Sequence, residues 1–213
     1  MASIGAFNGS GSILSNVTPI QFRAVNFKQE NEVAVTKTAS GRIIRSTAAT
    51  TLWRGTLELV SLTVSDFKQI QGFIAKAKGQ LNDFTIEIPE ISFRSATASI
   101  GTVSVSGSFG QGSTSVNLTK SVAGNATVFN MGDAIKFSGH NKVYVVTEDC
   151  VQSSTPSAFA VAFEPPLVLD VASAETVTYD NVPFKVILTS DLQEYQYNVD
   201  GTVNYRIDVQ EVI

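Results

Sequence analysis

Reactive side chains are scarce in this chain. Its 213 residues include one cysteine, Cys150, and one histidine, His140. A single thiol cannot close an intrachain disulfide, and these two residues alone cannot assemble a Cys/His metal site. Charge is thin as well: Asp, Glu, Lys and Arg make up 16% of the residues, against roughly 25% in an ordinary domain. The net charge of −4 gives no general electrostatic case for nucleic acid or for an anionic membrane surface. No window approaches the ~18 apolar residues of a membrane-spanning helix. The opening stretch from Met1 to Ser10 has neither the basic region nor the apolar run of a secretory signal. The expectation is a product made and kept, or assembled, in a cytoplasm, with no cofactor and no metal.

Ser, Thr and Val fill the space that Lys and Glu usually take. Apolar residues reach 43% and the mean hydropathy is +0.13, which excludes disorder as a global description. A low-charge, hydroxyl-rich, β-branched chain predicts a mainly β fold whose surface is meant to be covered.

Residues 1–16 are rich in Gly, Ser and Asn and read as a flexible or partner-ordered arm. A strand begins around Ile20 and Phe22, Val33 and Val35 alternate briefly, and Ile43-Ile44 form a short apolar pair. From Thr50 to Leu62 the pattern has period 2, with Trp53, Gly55, Leu57 and Leu59 on the apolar side. Gly55 leaves room for the Trp53 ring or marks a bulge. The one convincing helix runs from Ser65 to Lys78. Ser65 is its expected N-cap, Phe67, Ile70, Ile74 and Ala77 recur at helical spacing, and Gly79 is its stop. From about Ser92 to Pro183 there is no helical period. Five or so short strands there predict a small barrel or sandwich. Strand alternation returns at Phe184, Val186 and Leu188. It continues with Val203, Tyr205, Ile207, Val209 and Glu211 on one face, against Asn204, Arg206, Asp208 and Gln210 on the other.

Two strands are too few for a domain. Residues 184–213 are therefore expected to pair with strands of residues 1–91, leaving 92–183 as an insertion that folds separately. The fold class predicted is all-β with one helix.

Two stretches carry a resemblance. One runs Gly132-Asp133-Ala134-Ile135-Lys136-Phe137-Ser138-Gly139-His140-Asn141-Lys142-Val143-Tyr144-Val145-Val146, followed by Phe163-Glu164-Pro165-Pro166-Leu167. The other runs from Pro183-Phe184-Lys185-Val186-Ile187-Leu188 to the ending Tyr205 to Ile213. With the order of strands, one helix, inserted all-β segment and final strands, the chain resembles the distal tail proteins of long-tailed bacteriophages, of the variety carrying an inserted OB-type barrel. The resemblance implies a β-sandwich or barrel-like tail-tip domain with a small OB-like barrel inserted. It also implies a non-enzymatic ring, usually hexameric, between the last tail-tube ring and the baseplate hub. DNA would pass the lumen without being read. The outer domain would be free for fibre, collar or host-surface contacts, and the protein would reside in the virion after assembly in the host cytoplasm.

Each residue with chemistry has a plain structural reading beside a functional one. His140 is expected in a turn, hydrogen-bonded to backbone. Cys150 is expected as a small edge or buried thiol. Glu87, Glu90, Asp133, Asp149 and Asp170 sit beside prolines, glycines and turns, where acids usually cap. The Gly107–Gly112 stretch lacks the strand and helix of a phosphate cradle. Phe129, Tyr144, Phe159 and Tyr179 are the aromatic residues available to a sugar platform, and Tyr144 and Tyr179 are the candidate glycan contacts. A carbohydrate-binding adhesin using the inserted barrel is the competing function.

Overall fold

The computed structural model describes residues 6–7, 22–88, 91–122, 126–152 and 158–213. The arm read over residues 1–16 lies outside them, apart from Ala6 and Phe7, and Glu90 lies outside as well. The fold is mostly β, 48% strand, with one helix among the described residues.

The first body is a sheet. Its strands are β1 (Ala6–Phe7), β2 (Phe22–Lys37), β3 (Ile43–Leu59), β4 (Leu62–Thr63), β5 (Phe84–Ile86), β14 (Phe184–Leu188), β15 (Tyr195–Tyr197) and β16 (Thr202–Glu211). The order is β1-β5-β14-β16-β3-β2, with β4 and β15 also pairing with β16. β16 alternates strictly: Val203, Tyr205, Ile207, Val209 and Glu211 are buried, and the residues between them face outward. The second body is a closed barrel of β6 (Val103–Val105), β7 (Ser115–Lys120), β9 (Ala134–Phe137), β10 (Tyr144–Val146), β12 (Phe159–Glu164) and β13 (Thr176–Thr178). An OB barrel has five strands; this one closes with six. β8 (Ala126–Phe129) and β11 (Cys150–Gln152) form a separate ribbon.

All barrel strands lie between β5 and β14, and those two strands are neighbours in the sheet, with Phe184 paired opposite Ile86. The chain therefore leaves and re-enters at one point. Three hydrogen bonds tie that point together: Ser92 N–H to Ile88 O, Val182 N–H to Ser92 O, and Ile88 N–H to the Ser92 hydroxyl.

The helix α1 spans Val64–Ala77 and covers the inner face of the sheet with Phe67, Ile70, Phe73 and Ala77. Its cap is Thr63, not Ser65. Thr63 is extended, and its hydroxyl oxygen accepts the Asp66 N–H at 3.2 Å, so the helix starts one residue early. Phe73, next to Ile74 in the chain, is buried as well and meets the Phe84 ring edge-on at 4.9 Å.

Ile43 and Ile44 are not a short pair. They open a 17-residue strand that pairs with β2 almost to the turn. The ring that Gly55 accommodates is Phe27 from β2, which stacks on Trp53 with centroids 5.4 Å apart. A Cβ at position 55 would lie 2.1 Å from that ring and 2.9 Å from the Asn26 carbonyl oxygen. Gly55→Ala should therefore lower stability by about 1–3 kcal/mol, the usual cost of overpacking, as read by urea unfolding.

Candidate functional site

The barrel interior holds most of the residues nominated from sequence, and it uses them structurally. Tyr144 is completely buried. Its hydroxyl pairs with His140 Nδ1 at 2.6 Å and accepts the Val168 N–H at 3.2 Å, and its ring packs edge-on against Phe137 and Phe163. A sugar cannot stack on a ring with no exposed face, so Tyr144 is withdrawn as a glycan contact. Tyr179 is half-buried. One face lies under the Arg94 guanidinium at 5.3 Å, Phe129 packs against it, and its hydroxyl donates to Gly101 O. Tyr144 and Tyr179 therefore do not form one platform. Phe129 and Phe159 are core residues.

Burial pushes the Tyr144 phenol up to about 12. Its folded value exceeds the unfolded value near 10, so its contribution to folding is complete below pH ~10 and is lost as pH rises through about 12. Stability should fall by about 2 kcal/mol over that range from this group. Tyr144→Phe should flatten that part of the profile, as measured by urea midpoints and absorbance at 295 nm.

His140 is buried. Its Nε2 lies 3.4 Å from the Asp170 backbone oxygen, the kind of contact expected of it, and its Nδ1 adds a side-chain partner, the Tyr144 hydroxyl. Cys150 is buried, and its thiol donates to Glu148 O at 3.4 Å. Asp133 accepts the Ser95 N–H and hydroxyl and the Asn130 N–H. Asp149 accepts the Met131 N–H, and Asp170 the Gln111 N–H of the glycine-rich loop. Burial raises the Glu87 carboxyl. No group of three or more metal-binding side chains occurs among the described residues, and no described helix is long and apolar enough to cross a membrane.

At the junction of barrel and sheet lies a pair that sequence reading missed. Lys142 and Glu211 are both fully buried, and the Lys142 ammonium donates to Glu211 Oε2. The same oxygen accepts the Trp53 N–H at 3.2 Å, and Oε1 accepts the Val143 N–H at 3.0 Å. Burial pushes the carboxyl up and the ammonium down, and each is partly drawn back by the other's charge. The signal was present: Glu211 keeps phase with the buried residues of β16, and a carboxylate in a core position needs a partner.

The remaining features are surfaces. β2 is the outer strand of the sheet, and among the described residues β3 is its one hydrogen-bonded strand neighbour. β3 pairs with β16 from Arg54 to Glu58. Beyond Trp53, which pairs with Gln29, the β2–β3 hairpin leaves the body as an arm of about 25 Å, at ~3.3 Å per residue. Val33, Val35, Ile43 and Ile44 on it are each more than half exposed. Residues 33–47 carry Lys37, Arg42 and Arg45 and no acid.

At the opposite end of the sheet, β15 and the loop before it line an open groove of about 980 Å³ together with Arg23, Glu58 and Arg206. Leu192, Tyr197 and Val199 are exposed there. Residues 189–200 carry Asp191, Glu194 and Asp200 and no base. The Tyr205 hydroxyl donates to Gln193 Oε1 at 2.6 Å, and Gln193 Nε2 to Ser190 O at 2.6 Å, which fixes the loop on β16. Comparison with models of known protein families and with curated proteins finds no match.

Proposed function

We propose that the protein is a structural ring subunit of a long-tailed phage tail tip, built like the distal tail proteins it resembles. The observation that carries this reading is the outer strand β2, which pairs among the described residues with β3 alone and is prolonged with it into an arm. A two-stranded ribbon is marginal in water by itself, and an open edge strand invites further pairing. A heterologous contact that closes supplies a neighbour for every edge. The ring, usually a hexamer in such proteins, joins tail tube to baseplate hub and passes DNA without reading it. The inserted barrel faces outward, free for fibre, collar or host-surface contacts. The protein then works in the virion after assembly in the host cytoplasm, and it has no catalytic step.

Purified full-length chain should give rings of about six copies in negative-stain images and by light scattering, and it should bind the tube and hub proteins of its phage. Compact monomers at high concentration with no binding to either protein would refute the proposal. The glycan-binding alternative has lost Tyr144. It would return only if a host polysaccharide bound in titration and Tyr179→Ala abolished that binding.

A further inference from the structure

The two exposed apolar patches of the sheet body have opposite charge and lie at opposite ends of β3. Cross-strand partners share a face, so the pairs Val35–Arg45 and Lys37–Ile43 set Val35, Ile43, Lys37 and Arg45 side by side on one face of the arm. That face is apolar with a cationic rim. The segment 189–200 matches it in kind, with Leu192, Tyr197 and Val199 exposed among Asp191, Glu194 and Asp200. Toward the arm tip, residues 33–47 carry three basic residues and no acid, with Glu30 and Glu32 nearer the arm's base; residues 189–200 carry three acidic residues and no base, with Arg23 and Arg206 also lining the groove.

The two patches cannot meet within one molecule. β15 pairs with β16 at Val203 to Tyr205, beyond the Glu58 end of β3, whereas the arm leaves from the Trp53 end. A contact between them must be head-to-tail between copies.

We infer that the arm tip of one copy seats on the Leu192–Val199 segment of the next copy, apolar residues inward and the Lys37, Arg42 and Arg45 charges against Asp191 and Glu194. This rests on the ring reading and names the surfaces that close the ring. It also accounts for an arm that is apolar on a chain so short of charge. The partner segment is held ready: Tyr205 and Gln193 anchor its loop, and the Phe67 ring packs 4.8 Å from Tyr195 and 6.0 Å from Tyr197.

Charge reversal tests the pairing in the full-length chain. One variant carries Lys37→Glu and Arg45→Glu, a second Asp191→Lys and Glu194→Lys, and a third all four. All the positions are exposed, and far-UV circular dichroism and thermal unfolding check that each variant folds. Sedimentation velocity over a concentration series should show self-association about tenfold or more weaker in each double variant. Mixing the two double variants, or combining all four changes, should restore it, and salt should weaken the wild-type contact. Folded double variants that still assemble like wild type would overturn this inference and leave the ring reading standing. Loss in both with no restoration would overturn the pairing. A wild-type chain that stays monomeric at every concentration would remove the ring reading and this contact with it.

Discussion

Glu211→Ala will be among the most destabilising single substitutions in the chain, at about 3–5 kcal/mol, because it leaves a buried ammonium without its counter-charge. Two backbone donors, Val143 N–H and Trp53 N–H, lose their acceptor in the same step. One carboxylate thus serves the barrel loop, the sheet strand β3 and the Lys142 ammonium together. Urea unfolding should show a lower midpoint. The slope should drop as well if barrel and sheet come apart before either unfolds.

Lys142→Met should cost less, because Glu211 then keeps its two N–H donors and can relieve itself by taking a proton. The sign of the pH dependence follows. Burial holds the folded carboxyl above its unfolded value, so its contribution is fullest below the unfolded value near 4.3 and is lost as pH rises through the raised one. Without the lysine the carboxyl rises further. Lys142→Met should therefore gain stability relative to wild type as pH falls from 7 to 5, as read by paired urea midpoints.

Phe67→Ala should cost about 3–5 kcal/mol, the usual range for a large aromatic core truncation. Phe67 is the point where α1 meets the sheet. It is buried, and its ring lies 4.8 Å from Tyr195, 6.0 Å from Tyr197 and 5.9 Å from Tyr205. The helix also loses one of its buried anchors, with Ile70, Phe73 and Ala77 remaining. The effect should reach the surface: amide exchange should quicken along Tyr195–Tyr197, with that of the barrel strands unchanged. Equal quickening in both bodies would mean that the sheet and barrel unfold as one unit.

Much of this fold is readable where burial is one-sided. The all-β class follows from the Ser, Thr and Val content. The helix can be placed to within one residue at each end, because its apolar stripe and its Gly79 stop are local. β16 reads correctly along its whole length, since one face is core and the other is wet. The arm is illegible for the same physical reason. Val33, Val35, Ile43 and Ile44 toward the hairpin tip are all exposed, so they make no sustained alternation, and a 17-residue strand looks like two short fragments. The ring that needs the space at Gly55 comes from a neighbouring strand, and pairing register is invisible to a one-dimensional reading. The Lys142–Glu211 pair spans 69 positions; phase shows that Glu211 points inward, but not what it meets. The burial of Tyr144 is illegible because its neighbours Val143 and Val145 are both apolar, so alternation says nothing about which way the ring faces.

The single point of departure and return between β5 and β14 sets a timetable for synthesis. β2, β3 and β5 leave the ribosome first, and at ~5–20 residues per second β14 and β16 follow roughly 5–20 s later. The barrel has all its strands before then and can complete its own core. The sheet cannot, because β16 must lie between β3 and β14. A nascent chain thus displays its arm before it has made the 189–200 segment. In the contact proposed above, an unfinished chain can offer its arm to a neighbour before it can offer a seat of its own.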